Sequence, residues 1–393
     1  MKGKDRLKRV MIFIGSYLPG TKSGGVTTSI SNIVAKLSTY YEFYIVTADR
    51  DKGDIQPYKS VETECWTRYG YANVYYCQKY DSSIKKLREI INSVEVDVYY
   101  INGFYNRCDN LGVLLLHKLG KIARKPIIIA PRGIFSMGQY EKKRLARMAV
   151  RVLFRLCGFD KSVFWHSTSE LEKNDILKHF PKVSERIYVV PNISGITIRE
   201  SSVQPNKQRG SLKIVFVSRI SEKKNIKFIV ESLKCIRGNV ECDLYGMIGT
   251  EDDKRYWAEC QRLAEEIENK TVRVLYKGEV GHDKIPDIFA GYNLFFFPTF
   301  GENYGHVIAE SLANGCPVML SDTTPWIDLE VNHAGWVYPL SDKRAYVTKL
   351  QELIDMDDSH WRIYAEGALN YAASNIDETE KIDKHVRLFD DVS

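Results

Sequence analysis

Four charged side chains in the second half of the chain, Arg219, Lys224, Glu302 and Glu310, have the types and spacing to grip a phosphorylated ligand. Arg219 closes the apolar run VFVSR, and Lys224 follows five residues later in SRISEKKN. Two cations at the carboxyl end of a strand clamp a diphosphate and neutralise the charge that grows on it when a bond to its oxygen breaks. On these residues alone an ordinary solvated basic turn stays open. Glu302 and Glu310 stand eight residues apart within FPTFGENYGHVIAESLANGCPVMLSDTTPW, one in a loop with Gly301 and Gly305, the other inside the helix that follows. A glycine loop feeding a helix N-terminus presents backbone N–H groups and a positive dipole end, which suits phosphate or sugar oxygens. A carboxylate accepts from two vicinal hydroxyls, as on a ribose or hexose. The structural alternative, with Glu302 as a helix cap and Glu310 on a solvated face, also stays open. A third segment, GSYLPGTKSGGVTTSI, places Gly24 and Gly25 just before a helix. It matches neither G-x-G-x-x-G nor G-x-x-x-x-G-K-[ST], which argues against a dinucleotide dehydrogenase and a P-loop ATPase. Its glycines allow close backbone approach to a ligand, or simply make a surface loop.

The elements that must position these residues alternate from end to end. Strand-like runs rich in β-branched and aromatic residues are expected at Val10–Ile14, Phe43–Thr47, Val98–Ile101, Ile127–Ala130, Val163–His166 and Tyr188–Val190. Helical patterns at Val26–Leu37, Ile84–Asn92, Leu111–Lys118, Lys142–Leu156 and Glu170–His179 lie between them. The polar segment Thr197–Ser211, with Pro205 and Gly210, breaks the rhythm and reads as a linker and hinge. Strands then resume at Lys213–Val217, Cys242–Tyr245, Val272–Tyr276, Leu294–Phe297 and Val318–Leu320, and the tail from Asp342 is helical. This β-α-β-α order predicts an α/β protein with two doubly wound parallel sheets facing a cleft, and a ligand at the carboxyl ends of the strands.

The bulk numbers agree with that reading. A chain of 393 residues suggests two domains, and 44% apolar with 27% charged residues disfavours disordered and fibrous classes. No apolar run approaches the ~20 residues that span a bilayer. The N-terminal MKGKDRLKRVMIFIG has the charges of a signal peptide, but its apolar run stops at Gly15, so a first β-strand and a cytoplasmic protein are expected. The eight cysteines, Cys65, Cys77, Cys108, Cys157, Cys235, Cys242, Cys260 and Cys316, form no C-x-x-C, so reduced thiols are expected rather than a zinc site or disulfide framework. A net charge of +6 does not argue for nucleic acid, and none is expected as a partner.

Taken together and in this order, these segments resemble the retaining family-4 glycosyltransferases of the GT-B fold. The family's E-x7-E signature corresponds to Glu302 and Glu310, its Arg/Lys pair to Arg219 and Lys224, and its first glycine loop to SGGV. APRG (Ala130–Gly133), HSTSELE (His166–Glu172) and VVPNI (Val189–Ile193) follow the same order, so the resemblance covers nearly the whole chain. It implies an acceptor-binding domain over residues 1–200, a nucleotide-sugar domain over 201–370, and a C-terminal helix over 371–393 packing back on the first domain. It also implies roles. Arg219 and Lys224 hold the donor diphosphate, and Glu310 takes the ribose hydroxyls. Glu302, with backbone N–H groups around Asn303, Tyr304 and Gly305, holds the donor sugar. Backbone at Gly278, Glu279 and Val280 packs on the base, with uridine the expected base. Arg219, Lys224 and Glu302 are the implied catalytic residues. The family retains the anomeric configuration by front-face attack, in which the leaving phosphate oxygen takes the acceptor proton, so no glycosidase-like carboxylate pair is needed. The fold typically lacks an Asp-x-Asp metal site, and neither a metal nor a cofactor beyond the nucleotide sugar is expected. Two departures stand out: IIIAPRGIF brings Arg132, as an acceptor or phosphate contact, where many relatives place a His, and GENYG replaces the common E-G-F-G. His166 is expected to be a strand-end residue.

Residues 141–161 carry seven positive and two negative charges. Arg147, Arg151 and Arg155 recur every four residues opposite Leu145, Met148, Val152, Leu153 and Leu156. Such a basic amphipathic helix over 141–157 can lie on the anionic inner face of the cytoplasmic membrane, which would suit a polyprenyl-diphosphate-linked glycan as acceptor. It can equally pack its apolar face on the first sheet and leave a basic face in water. Two rival functions share the overall pattern: a non-hydrolysing nucleotide-sugar epimerase, and a catalytically silent sugar-nucleotide-binding protein.

Overall fold

The structure is a computed structural model, and it describes residues 6–20, 25–51, 54–78, 83–106, 111–135, 144–199, 206–375 and 378–393. The chain divides into two compact units, residues 1–194 with 378–393, and residues 195–377.

The first unit is built on eight strands: β1 (Lys8–Phe13), β2 (Tyr41–Ala48), β3 (Trp66–Tyr69), β4 (Ala72–Cys77), β5 (Val98–Asn102), β6 (Ile127–Ala130), β7 (Phe164–Ser167) and β8 (Ile187–Val189). Their order is β3-β4-β2-β1-β5-β6-β7-β8, parallel throughout except for the antiparallel β3–β4 pair. Side chains alternate across a strand, so a strand buried on both faces feeds two cores. β1 does this. Val10 and Ile12 join one buried cluster with Ile30, Ile33 and Val34 of the helix Gly25–Leu37. Met11 and Phe13 join another with Leu87, Ile90 and Ile91 of the helix Ile84–Asn92.

The C-terminal helix Thr379–Asp391 belongs to this first unit. Phe389 is fully buried with its ring 5.2 Å from Tyr41, and the Tyr41 hydroxyl donates to the Val386 carbonyl at 3.1 Å. Burying one such ring stabilises the unit by ~1.5–3 kcal/mol.

The hairpin β3–β4 is absent from the expected strands. WTRYGYANVYYC turns at Gly70, whose φ of 55° is left-handed. Its outer strand is aromatic and polar because it is an edge, so it lacks the continuous apolar run of a central parallel strand.

The second unit holds β9 (Ser211–Val217), β10 (Asn239–Tyr245), β11 (Val272–Gly278), β12 (Leu294–Phe297), β13 (Val318–Ser321) and β14 (Gly335–Tyr338). They are ordered β11-β10-β9-β12-β13-β14, and all are parallel. Strand order reverses between β9 and β12, so the loops after these two strands open side by side at the carboxyl edge. The described ends of the expected linker are tied into this unit. Arg199 N donates to Ala313 O at 3.1 Å. The buried Lys207 ammonium donates to the carbonyls of Gln208, Ile354 and Met356 at 3.0, 3.2 and 2.9 Å, capping the end of the helix Lys343–Asp355.

No helix among the described residues is long and apolar enough to cross a membrane.

Candidate active site

Two loops meet at the switch between β9 and β12. After β9 the chain makes a short 3-10 turn, Glu222–Lys224, and leaves it through Asn225 with φ 58°. Asparagine tolerates this left-handed conformation, and here its side-chain amide donates to Pro298 O at 3.0 Å. The Lys223 carbonyl accepts from Phe300 N at 2.9 Å and from the Thr299 hydroxyl at 3.1 Å. These bonds lock the β9 turn to the loop after β12.

The lock brings two of the expected residues into contact. The Lys224 ammonium pairs with the Glu302 carboxylate, and both side chains are 15% exposed. Lys224 Nζ also lies 5.0 Å from the centroid of the Phe297 ring. Arg219 is exposed just beyond the end of β9. It is close enough to Lys223 to help hold that lysine's pKa below its usual value; burial is the main cause, Lys224 and Arg219 add to it, and Glu302 opposes it. Arg219, Lys223, Lys224 and Glu302 therefore share one electrostatic environment, and Lys223 is a third cation there that sequence reasoning missed.

The loop after β12 is held open by its own bonds. Ser321 and Thr323 hydroxyls donate to Thr299 O at 2.5 and 2.9 Å, and Glu302 N donates to Thr323 O at 3.3 Å. Tyr304 is buried, its ring 5.4 Å from that of Trp326, and Trp326 Nε1 donates to Tyr304 O at 2.5 Å. The tyrosine of GENYG thus anchors the loop in the core. Asn303 beside it is half-buried. Gly305, with φ 78°, opens the helix His306–Ala313, and a Cβ there would come 2.7 Å from Ile308 Cδ1.

Glu310 lies within this helix and is 8% exposed. No described residue hydrogen-bonds its carboxylate; its nearest ionisable neighbour among the described residues is His282, whose Nδ1 stands 3.8 Å from Oε1. Burial raises its pKa, and His282 only partly offsets the rise. The solvated helix face that remained open for Glu310 is therefore ruled out by its burial. His282 follows closely on Gly278, Glu279 and Val280, so that segment reaches the Glu310 side of the site. Gly278 has φ 83°, and its carbonyl accepts from Gly246 N at 2.9 Å. Gly246, unnoticed in the sequence, is required there: a Cβ would fall 1.8 Å from Ser218 O, against the backbone that leads to Arg219.

The remaining expected residues belong to the first unit. Gly25 starts the helix Gly25–Leu37, and Gly24 lies outside the described residues. Arg132, with φ 59°, follows β6. Its guanidinium donates to Asn102 Oδ1 at 3.1 Å, Asn192 Oδ1 at 2.6 Å and the Tyr100 hydroxyl at 2.8 Å, all uncharged acceptors. Tyr100 then donates to His166 Nδ1 at 2.5 Å, and His166 Nε2 donates to Val190 O at 2.8 Å. Burial holds His166 neutral, with Arg132 and His385 adding to the effect. His166 is thus a fixed link between two strand ends.

The tripeptide Asp-x-Asp does occur in the chain, twice. In Asp49-Arg50-Asp51, Asp49 accepts from Arg50 at 2.7 Å and Asp51 from the Ser16 hydroxyl at 2.7 Å. In Asp355-Met356-Asp357, Asp357 accepts from His360 N at 3.0 Å and the Ser359 hydroxyl at 2.7 Å. Among the described residues no group of three His, Cys, Asp or Glu side chains is placed to hold a metal ion.

Residues 197–369, which contain the whole Arg219–Glu310 constellation, match the family model of glycosyl transferases group 1. Among curated proteins the chain is 24% identical over 241 residues to the O-antigen chain mannosyltransferase B of Escherichia coli, covering 58% of this chain and 60% of that protein. It is 23% identical over 171 residues to the GtfA subunit of a UDP-N-acetylglucosamine–peptide N-acetylglucosaminyltransferase of Streptococcus gordonii, covering 42% of this chain and 31% of that one. The chain thus spans less than two thirds of these relatives' own length. Among solved structures it resembles HepE of Anabaena in complex with UDP and glucose, with a TM-score of 0.70 at 16% identity over 98% of this chain and 100% of that one. A glycosyltransferase from Rickettsia africae gives 0.69 at 12% identity, over 98% of each chain. The fold is GT-B, two Rossmann-like parallel-sheet domains with a helical C-terminal part.

Proposed function

We propose that this chain, whose residues 197–369 belong to the group 1 glycosyl transferases, is a retaining, metal-independent glycosyltransferase. It moves a hexose-type sugar from a nucleotide-diphosphate sugar, with UDP as carrier, to a hydroxyl of a glycan or a polyprenyl-diphosphate-linked glycan. The setting is polysaccharide or glycoconjugate assembly at the inner face of the cytoplasmic membrane. The observation that carries the reading is the pairing of Lys224 with Glu302 together with, in the helix that follows the Glu302 loop, a buried Glu310 carboxylate that has no hydrogen-bond donor among the described residues. A buried carboxylate without donors is costly, and ribose hydroxyls supply two.

The roles follow from the chemistry. Arg219 and Lys224 take the diphosphate, with Lys223 adding charge behind them. Glu302 holds Lys224 in place and accepts from the donor sugar. The bond from the anomeric carbon to the β-phosphate oxygen breaks, and its electron pair stays on phosphate, where the cations stabilise it. The acceptor oxygen bonds to the same face of the anomeric carbon, and its proton passes to the leaving phosphate oxygen. UDP with glucose in HepE, and the mannosyl transfer named for the Escherichia coli relative, support the donor class.

The test is nucleoside diphosphate release from UDP-, GDP- and ADP-sugars, with and without glycan acceptor and with EDTA, followed by nuclear magnetic resonance of the product anomer. Acceptor-dependent release with retention, unaffected by EDTA, is expected. Epimerised donor formed without acceptor would support the epimerase, and binding without turnover would support the silent protein.

A further inference from the structure

The helix Arg144–Leu156 in the first unit faces the opposite way from an ordinary surface helix. Its inward side holds Phe154, fully buried with its ring 4.8 Å from that of Phe104 and 5.5 Å from that of Phe180. The arginine stripe lies on this side too. Arg147 sits 5.3 Å from the Tyr105 ring centroid, Arg151 donates to the Tyr105 hydroxyl at 2.7 Å, and Arg155 lies 5.4 Å from the Phe180 ring. The outward side is apolar: Leu145 is 76% exposed, Met148 49%, Val152 47%, Leu153 52% and Leu156 80%. The packed apolar face that the sequence left open is ruled out, while of the arginines Arg147 and Arg151 are half-buried and Arg155 is exposed.

We propose that this apolar stripe inserts into the interfacial zone of an anionic bilayer, drawn to it by the excess positive charge of the segment. This deepens the membrane-side reading above and rests on it for its purpose. The occupant is argued from charge. Residues 141–161 carry seven positive and two negative charges, so a second copy seated on the stripe would bring two strongly cationic segments together, whereas anionic lipid matches them. Among the described residues the three arginines have no ion-pair partner, and Asp175, which acts on the same His179 ring as Arg151 and Arg155, is paired with Lys178 at 2.8 Å. A helix of 13 residues is about 20 Å long, too short to cross a hydrocarbon core of ~30 Å, so it lies in the interface plane.

The experiment is flotation of the full chain with vesicles of phosphatidylcholine alone or containing phosphatidylglycerol, at low and high salt, with no donor present. Binding to the phosphatidylglycerol vesicles, weakened by salt, is expected, and each of Leu145→Ser and Leu156→Ser lowers affinity about tenfold. Both side chains are exposed, so thermal unfolding of the variants stays unchanged. Equal binding to both vesicle types, or variants that bind like the parent chain, overturns the proposal. So does a dimer in light scattering that the double variant disperses, which assigns the stripe to a second copy. A chain that floats but transfers no sugar leaves this inference standing and sinks the catalytic reading instead.

Discussion

One buried glutamate in each unit occupies a similar place, on a helix that follows a sheet strand, and the two are treated oppositely. Glu172, in the helix Glu170–His179 after β7, is 4% exposed and satisfied. One oxygen accepts from Gly133 N at 2.5 Å, the other from Thr168 N at 2.8 Å and the Thr168 hydroxyl at 2.9 Å. Glu310 is buried almost as deeply, yet has only His282 at 3.8 Å. The first carboxylate fastens two loops together. The second is left without a donor among the described residues, at a cost to stability that the ribose hydroxyls of the proposed donor would offset. The cations show the same contrast: Arg132 in the first unit is fixed by three neutral acceptors, whereas Lys224 in the second is held by one carboxylate at the switch point. Burial alone marks neither pair as functional; the count of satisfied hydrogen bonds separates them.

The strongest way to break this contrast is kinetic. Lys224→Ala and Glu310→Ala should each lower kcat/KM at least ~10²-fold, or ~2.7–4 kcal/mol, with the fold intact by circular dichroism. Near-normal activity in both would dissolve the site. The converse variant, Glu172→Ala, should remove the acceptor of three buried hydrogen bonds and lower stability by ~2–3 kcal/mol in urea unfolding; an unchanged midpoint would make Glu172 no more structural than Glu310. Gly305→Ala should cost ~1–2 kcal/mol, because an alanine resists the left-handed φ and crowds Ile308, and it should raise KM for the donor by moving the loop. The smallest effect concerns pH. The Glu310 carboxyl has a folded pKa above the usual 4.5, so the folded state keeps its proton longer than the unfolded chain does. Its contribution to stability is therefore fully present below the unfolded pKa and is lost as pH rises through the folded one. Glu310→Gln should stabilise the ligand-free chain at pH 7 relative to the parent and lose that advantage near pH 4. A gain independent of pH would mean that the charge of Glu310 is not the cost.

Much of this was legible in the residues. The β-branched runs located the central strands, because parallel strands buried on both faces must be apolar throughout. The spacing of Arg219, Lys224, Glu302 and Glu310 placed all four in the unit where two of them pair. Other features depend on contacts between distant residues. The amphipathic period of 144–156 fixed a helix but not its orientation, which is set by Tyr105 and Phe180 attracting the arginines. Lys223 and Lys224 are alike in the sequence, and only the turn ending at Asn225 decides that Lys224 reaches Glu302. Gly246 and His282 carry no motif; the first is identified by the backbone of Ser218 and the second by its distance to Glu310. GENYG shows a tyrosine at position 304 but not that its ring packs in the core against Trp326.

The most direct measurement is a crystal structure of the chain with UDP bound. The account predicts the diphosphate on Arg219 and Lys224, and the two ribose hydroxyls donating to the Glu310 carboxylate. A nucleotide bound away from these three side chains, with Glu310 still without a hydrogen-bond donor, would contradict it.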